Sequence, residues 1–273
     1  MLIVKRVPVL ALLFATQSLA AQSTPPADPR PPRPPLFTRN DAVWSAAFLL
    51  GSIAVSRIDD RVARGWLDST LQTPRNQTVA RNFAKLQEGS LTVGNVVLWG
   101  IARLTKAHAM ADITFHAAEA VVVGSIAAQV IRGPLGRSRP YVTDYADQYD
   151  FQPFRGFREF EYRAFPSIHT VSAFAVATVY TVETQRRAPG AVWIVGPIAY
   201  AIAAGPGIAR MFTGQHWASD VLAGAFLGTL AGAKVVRYNH DVNPSNRVNR
   251  FFLGRDGVQL SPGAAAVRYS FSF

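Results

Sequence analysis

His216 and Asp220 lie four residues apart at the start of an apolar run, and residues at this spacing share one face of a helix. A carboxylate in that position can hold one imidazole nitrogen, which fixes the tautomer and leaves the other lone pair free for nucleophilic attack. Arg210 lies six residues upstream and is expected to reach the same space. A buried histidine satisfied by a neighbouring aspartate is the alternative interpretation of this pair.

A second group of residues, Pro166 to His169, lies where the apolar run Ile168 to Val182 begins. Proline is favoured in the first turn of a helix, so a helix is predicted to begin here. The free N–H groups of a helix start bind anions, and the Ser167 hydroxyl adds a donor. His169 is placed to donate a proton to a leaving oxygen. A serine cap beside a packed histidine is the alternative.

A third group supplies fixed cations. Arg132 and Arg139 flank a loop, Gly133 to Ser138, whose glycines and proline favour turns. Guanidinium groups bind phosphate oxygens in a bidentate manner and stay charged, so two of them could stabilise a phosphoryl transition state without a metal. Three arginines in eight residues also fit a basic segment next to a membrane, which is the alternative.

The order and gaps of these groups resemble the three-part signature of the phosphatidic acid phosphatase type 2 and vanadium haloperoxidase superfamily. The matching residues are Arg132-x6-Arg139-Pro140, then Pro166-Ser167-Ile168-His169 after 25 residues, then Ala209-Arg210-x5-His216-x3-Asp220 after a further 39. The resemblance covers roughly residues 40 to 240.

This resemblance implies a role for each matching residue. His216 would attack phosphorus and form a phosphohistidine, Asp220 would orient it, and His169 would protonate the leaving alcohol. The groups expected to hold the phosphate oxygens are Arg132, Arg139, Arg210, the Ser167 hydroxyl and the backbone N–H of Ile168. No metal or other cofactor is expected, although vanadate would bind as a phosphate mimic.

The sequence departs from the family pattern at two positions that bear on the pocket. Arg132 stands where the family usually has lysine, which preserves the charge but adds a planar group. Ile168 stands where glycine is usual, and its β-branched side chain is expected either to narrow the pocket or to face lipid.

Composition divides the chain into four parts. Residues 1–21 have the basic start, apolar centre and small-residue end of a signal peptide or an uncleaved signal anchor. Residues 22–40 form a proline-rich linker, residues 41–240 the helical domain, and residues 241–273 a tail. The tail has short strand-like runs around two turn sequences, and the first of these runs is Phe251 to Leu253.

The predicted fold class is all-α, a bundle of about six core helices with a small C-terminal β-hairpin-like tail. Apolar segments of about 12 to 20 residues exceed the usual length of strands. The six segments are 42–55, 91–102, 113–131, 168–182, 191–209 and 217–236. The loop Tyr141 to Phe165 mixes acidic and aromatic residues and is expected either to roof the site or only to pack against the bundle.

The relation of this bundle to a membrane stays open at the level of sequence. Two of the apolar segments are shorter than the roughly 20 residues of a full span, and mean hydropathy is only +0.12. A cleaved signal followed by six spans would place the site loops in the cytoplasm, whereas the short basic loops place them outside. We expect an inner-membrane protein with a periplasm-facing site, with a soluble periplasmic protein as the alternative.

The expected function is metal-independent hydrolysis of phosphomonoesters or pyrophosphates, with a phosphorylated lipid or a small phosphate ester as substrate. A formal charge of +11 favours anionic partners, but no nucleic-acid recognition motif is present. The absence of cysteine excludes disulfide and thiolate chemistry. The alternatives are a secreted acid phosphatase, a vanadate-dependent haloperoxidase and a non-catalytic anion-binding envelope protein.

Overall fold

The computed structural model describes residues 33–254, and these residues form helices joined by short connections. The α-helices are α1 (Arg39–Ser56), α2 (Asp59–Gly65), α3 (Pro74–Phe83), α4 (Glu88–Leu104), α5 (His108–Leu135), α6 (Ile168–Arg187), α7 (Val192–Phe212), α8 (Ala218–Arg237) and α9 (Arg247–Leu253). The all-α prediction is confirmed, and the six apolar segments correspond to α1, α4, α5, α6, α7 and α8.

Helix boundaries follow from capping residues in the sequence. Thr38 accepts a hydrogen bond from the backbone N–H of Asp41, whose carboxylate bonds back to Thr38, and this capping box starts α1. Gly136, with a φ of 58°, ends α5 in the left-handed conformation that glycine adopts without strain. The turn that follows releases the chain into the long loop before α6.

Helix α6 lies at the centre of the bundle and packs against α5, α7 and α8. Its contact with α8 is close because Gly224, Gly228 and Gly232 recur every four residues on the facing side. A Cβ atom at Gly224 would lie 2.6 Å from the carbonyl oxygen of Ser167, and one at Gly228 would collide with the backbone of α6. Small residues in such a row allow helix backbones to approach. This approach brings the start of α6 beside the start of α8.

Within residues 33–254, three helical segments are long and apolar enough to cross a membrane: His108–Leu135, Pro189–Phe212 and Ala218–Val242. A fourth span would result if α1 and α2, which meet at a bend of 61°, are counted together. Large apolar side chains project from the outer faces, and Trp193 on α7 is 80% exposed. Apolar surface on this scale is typical of helices that face lipid.

The structure corrects the prediction for the start of the tail. Residues Phe251 to Leu253, expected in a strand, belong to α9. The Asn246 side chain caps this helix by accepting a hydrogen bond from the Asn249 N–H at 2.8 Å, and Gly254 ends it with a positive φ. The remaining predicted strands, after residue 254, and the predicted signal segment both lie outside the described residues.

Candidate active site

Ser167 is the N-cap residue of α6, yet its side chain does not cap the helix. The Ser167 hydroxyl oxygen accepts a hydrogen bond from Thr170 at 3.0 Å, so the Ser167 hydroxyl hydrogen remains available to an acceptor. The Ser167 N–H donates to the carbonyl oxygen of Asp220 at 3.0 Å and ties the two helix starts together. The predicted helix start is therefore present and lies against α8.

Ile168 neither narrows the site nor faces lipid. Its side chain is 4% exposed and packs in a core cluster with Ala128 and Val171. The substitution of the family's usual glycine therefore keeps the backbone N–H at the helix start and places the extra atoms in the bundle interior.

His216 is oriented by a backbone carbonyl. Its Nδ1 lies 2.7 Å from the carbonyl oxygen of Ala164 and 3.7 Å from Oδ2 of Asp220. A carbonyl only accepts hydrogen bonds, so Nδ1 carries the hydrogen and the lone pair is on Nε2, which is buried without a protein partner. The expected direct hydrogen bond from His216 to the Asp220 carboxylate is not made, although the tautomer is the expected one. The ring of His169 lies 6.5 Å from that of His216, between centroids.

Asp220 instead belongs to a buried ion-pair network. Its carboxylate accepts hydrogen bonds from Arg137 at 2.6 Å and from the backbone N–H of Trp217 at 2.8 Å. Arg137 also binds Asp59 at 2.9 Å, and both carboxylates are fully buried. Ser219 bonds to both Arg137 and Asp59. Asp220 therefore fixes the turn that carries His216 rather than the imidazole itself.

Sequence reasoning missed Arg137 and Asp59. Arg137 lies in the basic loop between two arginines that the motif singles out, and spacing does not distinguish it from them. Asp59 is the first residue of α2, 78 residues away from Arg137, and no sequence pattern links the two.

The three predicted phosphate-binding arginines converge on the histidines and have no carboxylate partner within residues 33–254. Arg139 and Arg210 both donate to the Gln215 side-chain oxygen, at 2.6 and 3.0 Å. Arg132 donates to the carbonyl oxygen of Arg163. Neutral acceptors thus hold cations that elsewhere in proteins are usually paired with anions.

Burial and the positive charge of the arginines lower the pKa values of Arg139, His169 and His216. Burial, followed by the charges of Arg210 and Arg132, lowers the pKa of Arg139 to about 9. Burial and the same cations lower the pKa of His169 to about 2 and hold that of His216 well below its usual value. Both imidazoles are therefore neutral at physiological pH until an anion enters.

The loop from Tyr141 to Phe165 lines the site. The carbonyl oxygen of Phe160 accepts a hydrogen bond from Arg139 at 3.1 Å, and the Phe160 ring lies 3.8 Å from that guanidinium. Outside the site the same loop exposes large aromatic side chains, among them Phe154 (66%) and Phe157 (59%). The loop thus joins the charged interior to an apolar rim, in agreement with the expectation that it roofs the site.

Residues 113–244 match the PAP2 superfamily. A lipid A 1-phosphatase of Porphyromonas gingivalis is 44% identical over 69 residues, which are 25% of this chain and 15% of the relative. A lipid A 1-phosphatase of Rhizobium etli is 34% identical over 113 residues, 40% of this chain and 42% of the relative. The chain thus matches less than half the length of these two relatives.

A solved structure has a similar fold. The transmembrane PAP2-type phosphatidylglycerolphosphate phosphatase from Bacillus subtilis superposes with a TM-score of 0.56 at 22% identity, over 74% of this chain and 96% of that chain. Residues 113–244, which match the family model, contain all eight residues that the sequence motifs single out. The structure brings these residues together around the starts of α6 and α8. The part of the chain that carries the site, residues 113–244, is thus of the PAP2 superfamily.

Proposed function

We propose that this protein hydrolyses phosphate monoesters or pyrophosphates of lipids, without a metal, through a phosphohistidine at His216. The observation that carries the proposal is a set of three guanidinium groups, those of buried Arg132 and Arg139 and half-buried Arg210. They have no carboxylate partner among residues 33–254 and lie beside an imidazole with a free lone pair. Buried cations are stable only when paired, so the site favours an anion. Phosphate oxygens match guanidinium donors in geometry and charge.

Nucleophilic attack begins at Nε2 of His216. A bond forms from this nitrogen to phosphorus as the bond from phosphorus to the leaving oxygen breaks, and His169 donates a proton to that oxygen. Water then attacks phosphorus and gives a proton to His169 as the bond from phosphorus to Nε2 breaks, which releases inorganic phosphate and returns the lone pair to His216. The arginines stabilise the charge on the three equatorial oxygens of the transition state, together with Ser167.

His169 must be protonated to act as the acid, whereas its pKa is about 2 in the absence of an anion. A bound phosphate dianion offsets the arginine charges that hold the pKa low. Substrate binding is therefore expected to raise the pKa of His169, so that His169 takes up the proton that the leaving group requires. Without substrate, His169 therefore stays unprotonated.

A phosphorylated lipid is the favoured substrate. The membrane-length helices and the aromatic rim formed by Phe154, Phe157 and Phe160 would place the site at the level of lipid headgroups. The names of the lipid A 1-phosphatases support the same substrate class. A small soluble phosphate ester is the second candidate, because the charged interior alone does not require an acyl chain.

We also infer that the site faces the periplasm. Basic residues Arg186 and Arg187 end α6 at the end away from the site, and Arg237 ends α8 on the same side. Lysine and arginine near span ends favour the cytoplasm. Because the chain has no cysteine, a single cysteine introduced at exposed Tyr149 would report the side. Labelling by an impermeant maleimide in cells with a permeable outer membrane supports this orientation, and labelling only after lysis contradicts it.

The catalytic proposal is tested with His216→Ala, assayed for phosphate release from a lipid phosphate in mixed micelles with EDTA present. We expect activity to be abolished, whereas His108→Ala, an exposed histidine at the start of α5, should behave as wild type. A radiolabelled phosphoryl group trapped on wild type, acid-labile and absent from His216→Ala, would identify the intermediate. Full activity of His216→Ala would refute the mechanism.

Substrate class and the alternative activities are separated in the same preparation. Comparison of lipid phosphate with a water-soluble monoester distinguishes a lipid enzyme from an acid phosphatase, and orthovanadate should inhibit both reactions. Bromide oxidation after vanadate loading would indicate a haloperoxidase. Absence of both activities, with phosphate binding intact, would indicate an anion-binding protein.

A further inference from the structure

A second cluster of chemically competent side chains lies at the far end of the bundle. His116 of α5, Glu183 of α6 and His240 of the π-helical turn Tyr238–Val242 bring three ligand atoms within 4.8 Å of one another. His169 and Glu183 are 14 residues apart on α6, so at 1.5 Å per residue the cluster lies about 21 Å from the active site. It is the one such group of three found among residues 33–254.

The donor atoms converge on a single point. Oε1 of Glu183 lies 2.8 Å from Nδ1 of His116 and 2.8 Å from Nε2 of His240. Two imidazole nitrogens and one carboxylate oxygen form a ligand set that Zn²⁺ takes in proteins, with a fourth position left for water. A tetrahedral ion about 2.0 to 2.1 Å from each ligand separates them by a little over 3 Å. Small side-chain rotations are enough to admit the ion.

Surrounding groups hold the carboxylate and increase the negative charge. The second oxygen of Glu183 is bound by Arg187, and Arg187 also binds Asp112 at 3.1 Å. Glu119, one turn along α5 from His116, accepts a hydrogen bond from Asn239 at 2.7 Å. Asp112 and Glu119 thus add two carboxyl groups to the surroundings of the cluster. A partner for a ligating carboxylate is typical of protein metal sites.

Hydrogen bonding alone does not account for the cluster. If both imidazoles donate to Glu183, His116 is left with Nε2 buried and without a partner in a ring that is 1% exposed. His240 reaches the cluster only because the chain after α8 widens into a π-helical turn, a local change often found at functional sites.

We propose that His116, Glu183 and His240 bind a Zn²⁺ ion that joins α5, α6 and the turn after α8. The ion would fix the ends of these helices opposite the active site. Its role is structural and separate from the hydrolysis, for which the arginines provide the charge. The His240 side chain, at 5% exposed, is the most exposed of the three, since those of His116 and Glu183 are 2% and 0% exposed.

The test is Zn²⁺ binding to the full chain in detergent, after removal of metal with a chelator. Titration against a chromophoric zinc indicator should show one tight site per chain in wild type. His240→Ala and Glu183→Gln should each weaken binding by more than the roughly 10- to 100-fold typical of losing a surrounding partner. His108→Ala, on the same helix as His116 but exposed, is the matched control and should bind as wild type.

A second measurement guards against variants that do not fold. Phosphatase activity in EDTA should be close to wild type in His240→Ala, which shows that loss of zinc binding is not loss of structure. X-ray absorption at the zinc edge should show two imidazole ligands in wild type. Absence of a stoichiometric site in wild type, or equal binding by His240→Ala, would overturn the proposal.

Discussion

The buried network around Arg137 gives a sharp test of how the site is held. Arg137→Met removes the guanidinium that binds both Asp59 and Asp220, and leaves two fully buried carboxylates without a cation. Breaking a buried pair by removing one partner costs about 3–5 kcal/mol. At about 2–4 °C per kcal/mol for a chain of this size, the melting temperature should fall by about 6–20 °C.

The control is the same substitution at Arg155, which binds Glu159 through two hydrogen bonds of 2.8 and 2.6 Å but is exposed. Exposed ion pairs contribute little to stability, so Arg155→Met should melt with wild type. Thermal unfolding in one detergent measures both variants. Adding Asp59→Asn to Arg137→Met should recover part of the loss, because it removes one uncompensated charge. Equal melting temperatures for the two single variants would refute the reasoning.

Three further predictions concern pH, helix contact and Asp220. The pKa of His169 is about 2 in the folded chain and about 6.5 in the unfolded chain, so the unfolded chain binds more protons between these pH values. The free energy of unfolding should therefore fall by about 1.4 kcal/mol for each pH unit below 6.5. The melting temperature should drop less between pH 7 and pH 5 for His169→Asn than for wild type. Gly228→Ala should destabilise the fold because α6 occupies the space of the new methyl group, whereas Gly100→Ala, with no atom within 4 Å, should not; equal melting of the two would contradict the packing argument. Asp220→Asn should reduce kcat without abolishing it, because the Ala164 carbonyl still fixes the His216 tautomer. This is measured in mixed micelles. If kcat is as low as that of His216→Ala, the Asp220 carboxylate acts directly in the reaction.

The helices and the main site residues were predictable because the signals are local. A run of apolar residues longer than a strand predicts a helix, and Pro166 with Ser167 marks its start. The motif residues lie at fixed distances from these starts, so they converge once α6 and α8 pack together. The row of glycines on α8 that permits this packing is also visible in the sequence, but its partner surface is not.

The rest depends on contacts between distant residues. Spacing on one helix brings Asp220 near His216, but it does not reveal that Arg137 and the N–H of Trp217 occupy the carboxylate. The run Phe251 to Leu253 has the composition of a strand, and its helix is set by the Asn246 cap and by stacking of Phe252 on Phe115 at 5.0 Å. Local pattern is weak where capping and tertiary packing decide.

Gln215 bridges Arg139 and Arg210, two arginines with no carboxylate partner among residues 33–254, and this bridge has a consequence for turnover. The cations recognise only what substrate and product share, so inorganic phosphate should displace the amide as readily as a substrate headgroup does. We therefore expect free phosphate to inhibit competitively, with the fraction of occupied enzyme following the phosphate concentration on the side of the membrane that the site faces. Such an enzyme would turn over fastest when phosphate is scarce, and its rate would fall as the phosphate concentration in that compartment rises.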